Sequence, residues 1–442
     1  MLKLIGAFQN SIGSLLLLIL LFATHVYFTI RLKCIQSRIP EGIRLSFSKE
    51  EGSAGSLSPF AALATSLAAT IGTGNIIGIS AAIAIGGPGA VFWCWITGIF
   101  GIATCYAECF LSARYRVEKE KGVYVGGPMY VLERVLHKKK LALLFALLAA
   151  AASFGIGSSV QSHSICAAVT ETIPVSVHLT GIIIALLAGS IILGGARQIA
   201  KVCTFLVPFM SLFYFGGCLF LLWANGGFVM QAVGVIVKSA FTSKSVAGGI
   251  AGTAVMIGIR TGLAKGLFTN EAGMGSIAIS AAEAKTSSPV RQGLVSMTGV
   301  FWDTVVMCAL TGITIVSSML KMPQSYVGAG EDRFCFLAFS QIPYGEYILS
   351  VSLILFAFAT IIGWSYYGEC AAGYLFGEKG IGWYKTMYIV SVYLGAVLSL
   401  ETVWNLAEMF NSLMAIPNLI SLWLLRKVII RETVCGKKRN MV

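Results

Sequence analysis

Charged residues are scarce in this chain of 442 residues. Asp, Glu, Lys and Arg make up 12% of the sequence, and 57% is hydrophobic. A soluble globular domain carries about 25% charge, so a soluble protein of this length is excluded. Residues 11–30 contain no charge at all, and about 20 such residues cross a hydrocarbon core of roughly 30 Å. We therefore expect an all-α polytopic membrane protein.

Metal, redox and nucleotide signatures are missing as well. The eleven cysteines form no CxxC pair, and the four histidines do not cluster at metal-ligand spacing. No GxxxxGK[ST], HExxH or GxSxG motif is present. These absences argue against an ATP-driven pump and against a membrane-embedded enzyme, and we expect no bound cofactor.

Long apolar runs predict the transmembrane helices. They are far longer than the 9–11 residues of a barrel strand and lack its alternation, so transmembrane strands are not expected. The first run is followed directly by Arg31 and Lys33, which favours a retained helix over a cleaved signal peptide. The runs predict eleven spans, at residues 11–30, 56–86, 90–113, 141–170, 178–196, 202–224, 246–284, 290–320, 344–375, 383–399 and 402–426.

The basic residues predict the orientation of these spans. With the N-terminus outside, 25 Lys and Arg residues fall in inside segments and five in outside segments. The positive-inside rule then predicts an integral protein of the inner (plasma) membrane, with its N-terminus outside and its C-terminus in the cytoplasm. The basic residues that produce the net charge of +13 lie between apolar runs. They therefore indicate contact with membrane lipid and not with nucleic acid. The oligomeric state stays open, and a monomer is compatible with the sequence.

Two of the predicted spans are interrupted by glycine-rich segments. Residues 72–78 read GTGNIIG and residues 266–276 read GLFTNEAGMGS, and glycine weakens a helix by up to about 1 kcal/mol per residue. When the first helix is set aside, these two spans are the first and the sixth of the ten that remain. That layout predicts two five-helix repeats, each opening with a broken helix, as in secondary transporters. Close helix packing through Gly74 and Gly78 is the alternative explanation.

The repeats divide the chain into four parts. An extra helix and loop occupy residues 1–55, the repeats occupy 56–224 and 225–426, and a basic tail occupies 427–442. A broken helix leaves N–H groups free for a carboxylate and carbonyl groups free for an ammonium group or Na+. Thr73, Gly74 and Asn75 would open the second half-helix of the first break, with Asn75 as its cap.

Several motifs of this chain resemble those of the alanine or glycine:cation symporter family, also called sodium:alanine symporters. The resemblance spans nearly the whole chain, in the expected order. The motifs are LATSLAATIGTGNIIG (63–78), GGPGAVFWCWITGIFG (86–101), YVGGPMY (124–130), GLFTNEAGMGS (266–276), KTSSPVRQGLV (285–295), FWDT (301–304) and GWSYYGE (363–369).

This resemblance implies the fold of the neurotransmitter:sodium symporters, with ten core helices in two inverted repeats, and Na+-coupled uptake of alanine or glycine by alternating access. The substrate carboxylate would meet the N–H groups of Thr73 and Gly74, and its ammonium group the carbonyl of Thr70. The remaining pocket residues implied by the resemblance are Gly72, Asn75, Gln161, Phe268, Asn270, Gly273, Met274 and Trp364.

The resemblance also implies a sodium site, formed by the carbonyls of Ala68 and Ile71 and the hydroxyl of Thr360. Family members usually carry two consecutive hydroxyl residues there, and this chain has Ala359 before Thr360, so one oxygen is missing. Other departures from the family pattern are Cys105 in place of a lysine, the 157–159 segment Gly-Ser-Ser, Ala278, Ala281, Ser287 and Ser288.

Five carboxylates fall inside or at the ends of the spans, where charge costs several kcal/mol unless it is paired or hydrated. Asp303 and Glu271 are candidates for cation or proton coupling, which keeps a proton-coupled symporter as an alternative. The other interpretation is that these acids have a structural role, either in an ion pair with Arg260 or Lys265 or in a helix-end contact. A channel is a third hypothesis, since broken helices also occur in pores. The remaining carboxylates are Glu108, Glu283 and Glu369.

Overall fold

The computed structural model describes residues 12–48, 54–120, 122–242, 251–398 and 401–439. Helices dominate it. In the first half they are α1 Ile12–Arg31, α2 Ile39–Ser46, α3 Pro59–Thr70, α4 Ile77–Gly86, α5 Gly89–Arg114, α6 Pro128–Arg134, α7 Lys139–Ala152, α8 Val160–Thr172, α9 Val177–Ile192 and α10 Gly195–Ala224. In the second half they are α11 Gly226–Ser239, α12 Ala251–Asn270, α13 Ile277–Ala281, α14 Pro289–Val300, α15 Ala309–Lys321, α16 Phe334–Phe339, α17 Gly345–Val397 and α18 Glu401–Arg439.

Short segments of other helical geometry join several of these helices. Ser153–Ser159 and Phe301–Cys308 are π-helical, so α7 to α8 and α14 to α15 each form one continuous rod. Turns of 3₁₀ helix lie at Ile35–Arg38, Thr73–Asn75 and Pro323–Tyr326. π-Helical turns are rare and often mark functional positions.

Six helical segments of the described residues are long and apolar enough to cross a membrane, and up to eight if two bent pairs each count as one span. The chain is therefore a multi-pass membrane protein, and the count of eleven stays a prediction. The helix at Val177–Ile192 has only 16 residues. The predicted spans 344–375 and 383–399 lie in one segment, Gly345–Val397, interrupted at Gly377 where φ is 69°. Part of the predicted 246–284 span lies outside the described residues.

Both breaks predicted from the glycine content are present. The first separates α3 from the Thr73–Gly86 segment by a bend of 62°, since Ile71 and Gly72 have extended backbone conformations. The second separates α12 from α13, with positive φ at Glu271, Gly273 and Gly275.

The hairpin β1 Val117–Glu120 and β2 Val123–Val125 departs from the helical pattern. Its strands are antiparallel, with Val117 opposite Val125, and it lies in the basic 114–140 segment. A hairpin this short was not foreseen, because nothing in that segment alternates over more than a few residues.

Helix α17 occupies the centre of the bundle, since it packs against α3, α8, α9 and α10. Helix α1 packs against α5 and shares an apolar cluster with the second break, through residues such as Leu21, Leu267 and Met274. Large apolar side chains on the outside are exposed, for example Phe205 at 75% and Leu186 at 69%. Such a surface suits lipid and would not suit water.

Candidate functional site

The first break leaves several backbone groups without partners. Among the described residues, none accepts a hydrogen bond from the N–H of Thr73 or Gly74, and none donates one to the carbonyl of Ala68, Ala69 or Thr70. These are the orphan groups that a helix end and a helix start always expose. A single break thus presents free donors and free acceptors a few residues apart.

Asn75 holds the break in shape. Its Oδ1 accepts a hydrogen bond of 3.0 Å from the N–H of Gly72, and its Nδ2 donates to Oδ1 of Asp303 over 2.8 Å and to the carbonyl of Asp303 over 3.1 Å. Asn75 thereby caps the helical turn Thr73–Asn75 at Gly72, and helix α4 follows from Ile77.

Thr360 on α17 reaches the last turn of α3. Its Oγ1 lies 3.5 Å from the carbonyl oxygen of Ile71 and donates to the carbonyl of Phe356 over 3.1 Å. A Cβ atom at position 72 would lie 2.5 Å from this hydroxyl, so only glycine allows the approach. The structure thereby brings Ile71 and Thr360 together, beside the free carbonyl of Ala68 in the same turn.

Gln161 on α8 also faces this break. Its Nε2 donates to the carbonyl of Ile156 over 3.1 Å, and its Oε1 has no partner among the described residues although the side chain is only 4% exposed. The same Oε1 lies 3.7 Å from the position that a Cβ of Gly72 would take. A buried acceptor is therefore directed at the free backbone groups.

Trp364 connects the two breaks. It is fully buried, packs against Gly157, and donates from Nε1 to Oε1 of Glu271 over 3.2 Å. The first break also contacts α12 directly, since a Cβ at Gly74 would lie 3.3 Å from Oγ1 of Thr269. The two segments thus meet in one region of the bundle.

Two other predicted pocket residues, Asn270 and Met274, make contacts within the protein. Asn270 accepts at Oδ1 from the N–H of Ala272 over 3.0 Å, and Met274, 4% exposed, packs in the cluster shared with α1. Phe268 is half-buried beside Lys265, whose Nζ lies 5.8 Å from the ring centre.

Glu108 on α5 and Asn418 on α18 hold the second break, a role that the sequence did not predict for either residue. Oε2 of Glu108 accepts from the N–H of Gly273 over 3.2 Å and of Gly275 over 3.1 Å. Asn418 donates to the same oxygen and to the carbonyl of Gly273, each over 2.9 Å. An Asn and a Glu in otherwise apolar helices were the available signal. The backbone of Gly273 is therefore engaged by side chains.

The buried acids at the breaks make helix-end contacts. Asp303 accepts from Asn75 and from Oγ1 of Thr304 over 2.7 Å, and Glu271 accepts from Trp364 and Ser276. Lys265 pairs with Glu408 over 3.4 Å, not with either acid. For Asp303 the helix-end interpretation is thus the one that the geometry supports.

Two cavities lie along α17 on either side of Thr360. One, of about 350 Å³, is lined by Ser350, Glu346 and Arg333 among others. Another, of about 200 Å³, is lined by Cys370 and Glu369 among others, next to the β-hairpin. Ten residues separate Thr360 from each of Ser350 and Cys370, roughly 15 Å of helix in each direction. The first break therefore lies midway between the two cavities.

Comparison with known proteins gives a consistent result. Residues 1–438 match the model of the family described as sodium:alanine symporters. The chain is 43% identical to the sodium/alanine symporter AgcS of Methanococcus maripaludis, covering 94% of this chain and 93% of that protein. It is 37% identical to the probable sodium/glutamine symporter GlnT of Bacillus subtilis, covering 96% and 88%. The fold is similar to that of MhsT in complex with L-phenylalanine, with a TM-score of 0.61, 14% identity, and coverage of 85% and 90%.

Proposed function

Because this chain belongs to the sodium:alanine symporter family, we propose that it carries a small neutral amino acid across the membrane together with Na+, alanine or glycine being the expected substrates. The observation that carries this proposal is the first break, where free N–H groups and free carbonyls lie within one turn of each other. An amino acid zwitterion carries the two complementary charges at a matching short separation.

The substrate contacts follow from the free groups. The carboxylate binds the N–H groups of Thr73 and Gly74, because a helix start attracts anions. The ammonium group donates to the carbonyl of Thr70 and to Oε1 of Gln161, the unpartnered acceptor facing the break. Trp364 and Phe268 bound the space for the substrate side chain.

Sodium takes the oxygen atoms at the last turn of α3. Ala68 and Ile71 supply carbonyl groups, and Thr360 supplies its hydroxyl. The Oγ1 atom of Thr360 lies 3.5 Å from the carbonyl oxygen of Ile71. Oxygen ligands suit a hard cation. Ala359 offers no oxygen, so the site has one side-chain ligand fewer than the family pattern.

The transport cycle is alternating access around this site. The finer architecture we propose comprises eleven spans, with two inverted repeats at 56–224 and 225–426, and the N-terminus outside. The cavity at Arg333 is then the outer entrance, and the cavity at Cys370 is the inner exit. Glu283 closes the inner path by accepting from Ser56 and, over 2.7 Å, from Tyr366.

Proton coupling is the second candidate. Its support is that Asp303 and Glu271 are buried in the bundle and make their described contacts to neutral donors. Such an acid is inexpensive to bury only when it is neutral, and a proton that comes and goes would be a coupling ion.

Uptake into proteoliposomes tests these alternatives. Labelled L-alanine, D-alanine and glycine would be supplied with an imposed Na+ gradient, an imposed H+ gradient or neither. Saturable uptake that requires the Na+ gradient and responds to voltage supports symport, since each cation entering at 100 mV supplies roughly 2.3 kcal/mol. Uptake that ignores Na+ and follows H+ selects the second candidate, and flux that does not saturate indicates a channel.

Orientation is tested through Cys34, which is exposed and follows α1. With the N-terminus outside, a membrane-impermeant maleimide labels Cys34 only after cells are permeabilised. The Cys34→Ser variant shows which part of the label belongs to this residue. Labelling of Cys34 in intact cells would reverse the assignment.

A further inference from the structure

His25 of the extra helix α1 is buried at the second break. It is 0% exposed, and its Nδ1 lies 2.7 Å from Oγ1 of Thr104 on α5. Its Nε2 has no partner among the described residues. A buried polar atom without a partner costs free energy, so this imidazole calls for a functional explanation.

Two further atoms without partners belong to residues at or against the second break. Oε1 of Glu108 and Nδ2 of Asn270 have no partner in the described part of the chain, although Glu108 is 2% and Asn270 0% exposed. A Cβ at Gly101 would lie 3.7 Å from Nε2 of His25 and 3.7 Å from Oδ1 of Asn270. Glycine at position 101 therefore leaves room between these groups.

Gly273 links His25 to Glu108. Its N–H donates to Oε2 of Glu108, and its Cβ position would lie 3.6 Å from Cε1 of His25. The acid and the imidazole thus flank the same glycine of the second break, while Thr104 and Glu108 stand one helical turn apart on the same face of α5.

We propose that His25 and Glu108 form a site for one proton, which controls the second break. The ligand is a proton because the free atoms are one carboxylate oxygen and one imidazole nitrogen, both of which bind H+. No group of three His, Cys, Asp or Glu side chains in the described residues could hold a metal ion. Asn270, whose Nδ2 is a free donor, orients the pair.

The proton acts through the hydrogen bonds of Glu108. An ionised carboxylate accepts more strongly than a neutral one, so Oε2 of ionised Glu108 holds the N–H groups of Gly273 and Gly275 firmly. When the pair takes up a proton these bonds weaken, and the break loosens. Acidification therefore lowers substrate affinity. This inference rests on the proposed function, because the affinity in question is that for the transported amino acid.

The titration of Glu108 must be distinguished from that of other titratable groups in its surroundings. Cys105 and Cys109 lie on its own helix, Glu271 lies on the second break, and Tyr367 on α17 lies near Glu271. Asp303 is the titratable group already assigned a possible coupling role. The experiment therefore compares Glu108→Gln and His25→Gln with Asp303→Asn, and uses Thr104→Val as the control that removes a hydrogen bond but no titratable group.

The first measurement is the KM for L-alanine in proteoliposomes over a range of pH, at fixed Na+ and clamped voltage. In the wild type KM rises on acidification, by at most about tenfold per pH unit for one linked proton. Glu108→Gln and His25→Gln flatten this dependence, while Asp303→Asn and Thr104→Val keep it. The proposal is overturned if the KM of the wild type does not depend on pH, or if the KM of Glu108→Gln depends on pH as strongly as that of the wild type.

The second measurement needs no transport. Thermal unfolding of the solubilised protein without Na+ or amino acid should depend on pH in the wild type and less so in Glu108→Gln. If Glu108→Gln does not fold, His25→Gln carries the comparison, and a wild-type pH dependence in it overturns the proposal. Absence of any amino-acid uptake would contradict the proposed function, and the unfolding curves would still decide on the proton site.

Discussion

The side-chain amide of Asn75 donates to Oδ1 of Asp303 over 2.8 Å, across 228 residues of sequence. The Oδ1 of the same amide accepts from the N–H of Gly72. Asn75 therefore connects the first break to the helix that carries Asp303. Asp303 lies in the π-helical segment Phe301–Cys308, so these hydrogen bonds connect that segment to the turn that carries the free N–H groups of Thr73 and Gly74.

Replacing Asp303 separates its hydrogen-bonding role from proton coupling. Asp303→Asn keeps an acceptor for Asn75, so we expect Na+-driven uptake with a KM for alanine within about threefold of the wild type. Asp303→Leu removes the Oδ1 acceptor and leaves the Asn75 amide with the carbonyl of residue 303 and Sγ of Cys308. Loss of one hydrogen bond costs about 1 kcal/mol, so we expect KM to rise roughly fivefold. Loss of uptake in Asp303→Asn with alanine binding intact would instead indicate proton coupling. Uptake and equilibrium binding are measured side by side.

Thr360 should determine the response to Na+. Thr360→Val has nearly the same shape but removes the oxygen, and loss of one ligand worth about 1.4 kcal/mol raises the Na+ concentration for half-maximal uptake about tenfold. Thr360→Ser keeps the hydroxyl and should stay close to the wild type. Equal Na+ dependence in the valine variant and the wild type would remove Thr360 from the sodium site.

Gly72 should tolerate no side chain. In Gly72→Ala the new methyl group would lie 2.5 Å from Oγ1 of Thr360, so the hydroxyl must leave the turn. We expect alanine uptake to fall at least about tenfold, by the same loss of a ligand. Gly78→Ala is the matched control, because nothing lies within 4 Å of its Cβ position. Uptake by the two variants at equal expression is the measurement, and similar activities would refute the close approach.

The glycines of the second break should matter through packing as well as conformation. Gly275→Ala adds a methyl group 2.5 Å from Cγ of Pro128 at a residue with φ of 89°. Gly377→Ala has comparable strain, with φ of 69° and open space around it, and should cost roughly 1–2 kcal/mol. We expect Gly275→Ala to lower the unfolding temperature in detergent clearly more than Gly377→Ala. An equal decrease would mean that backbone strain alone accounts for both.

The positions of the breaks could be predicted because glycine acts locally. Closely spaced glycines such as Gly72 with Gly74 and Gly273 with Gly275 weaken a helix at their own position, since their effect depends on the backbone itself. The apolar runs likewise predicted most helices to within a few residues. Helix α11 was missed because its 14 residues are fewer than the roughly 20 that a span requires.

The contacts that hold the breaks could not be predicted, because they join residues far apart in the chain. Asn75 was expected to cap the helix following it, which is the local use of an asparagine. Its Oδ1 does accept locally from the N–H of Gly72, but its contact with Asp303 depends on the packing of two helices. The same applies to Glu108 and Asn418, whose hydrogen bonds to Gly273 depend on where α5 and α18 cross the second break.

The free groups of the first break belong to the main chain, and this affects how the protein can change over generations. A substitution at Thr70, Thr73 or Gly74 replaces a side chain but leaves the carbonyl and, unless proline enters, the N–H in place. The part of the site that matches an amino acid head group is thus largely insulated from mutation. Gln161 and Trp364 contribute by their side chains and have no such protection. Drift in this protein should therefore alter the size of the accepted substrate long before it alters the class of molecule.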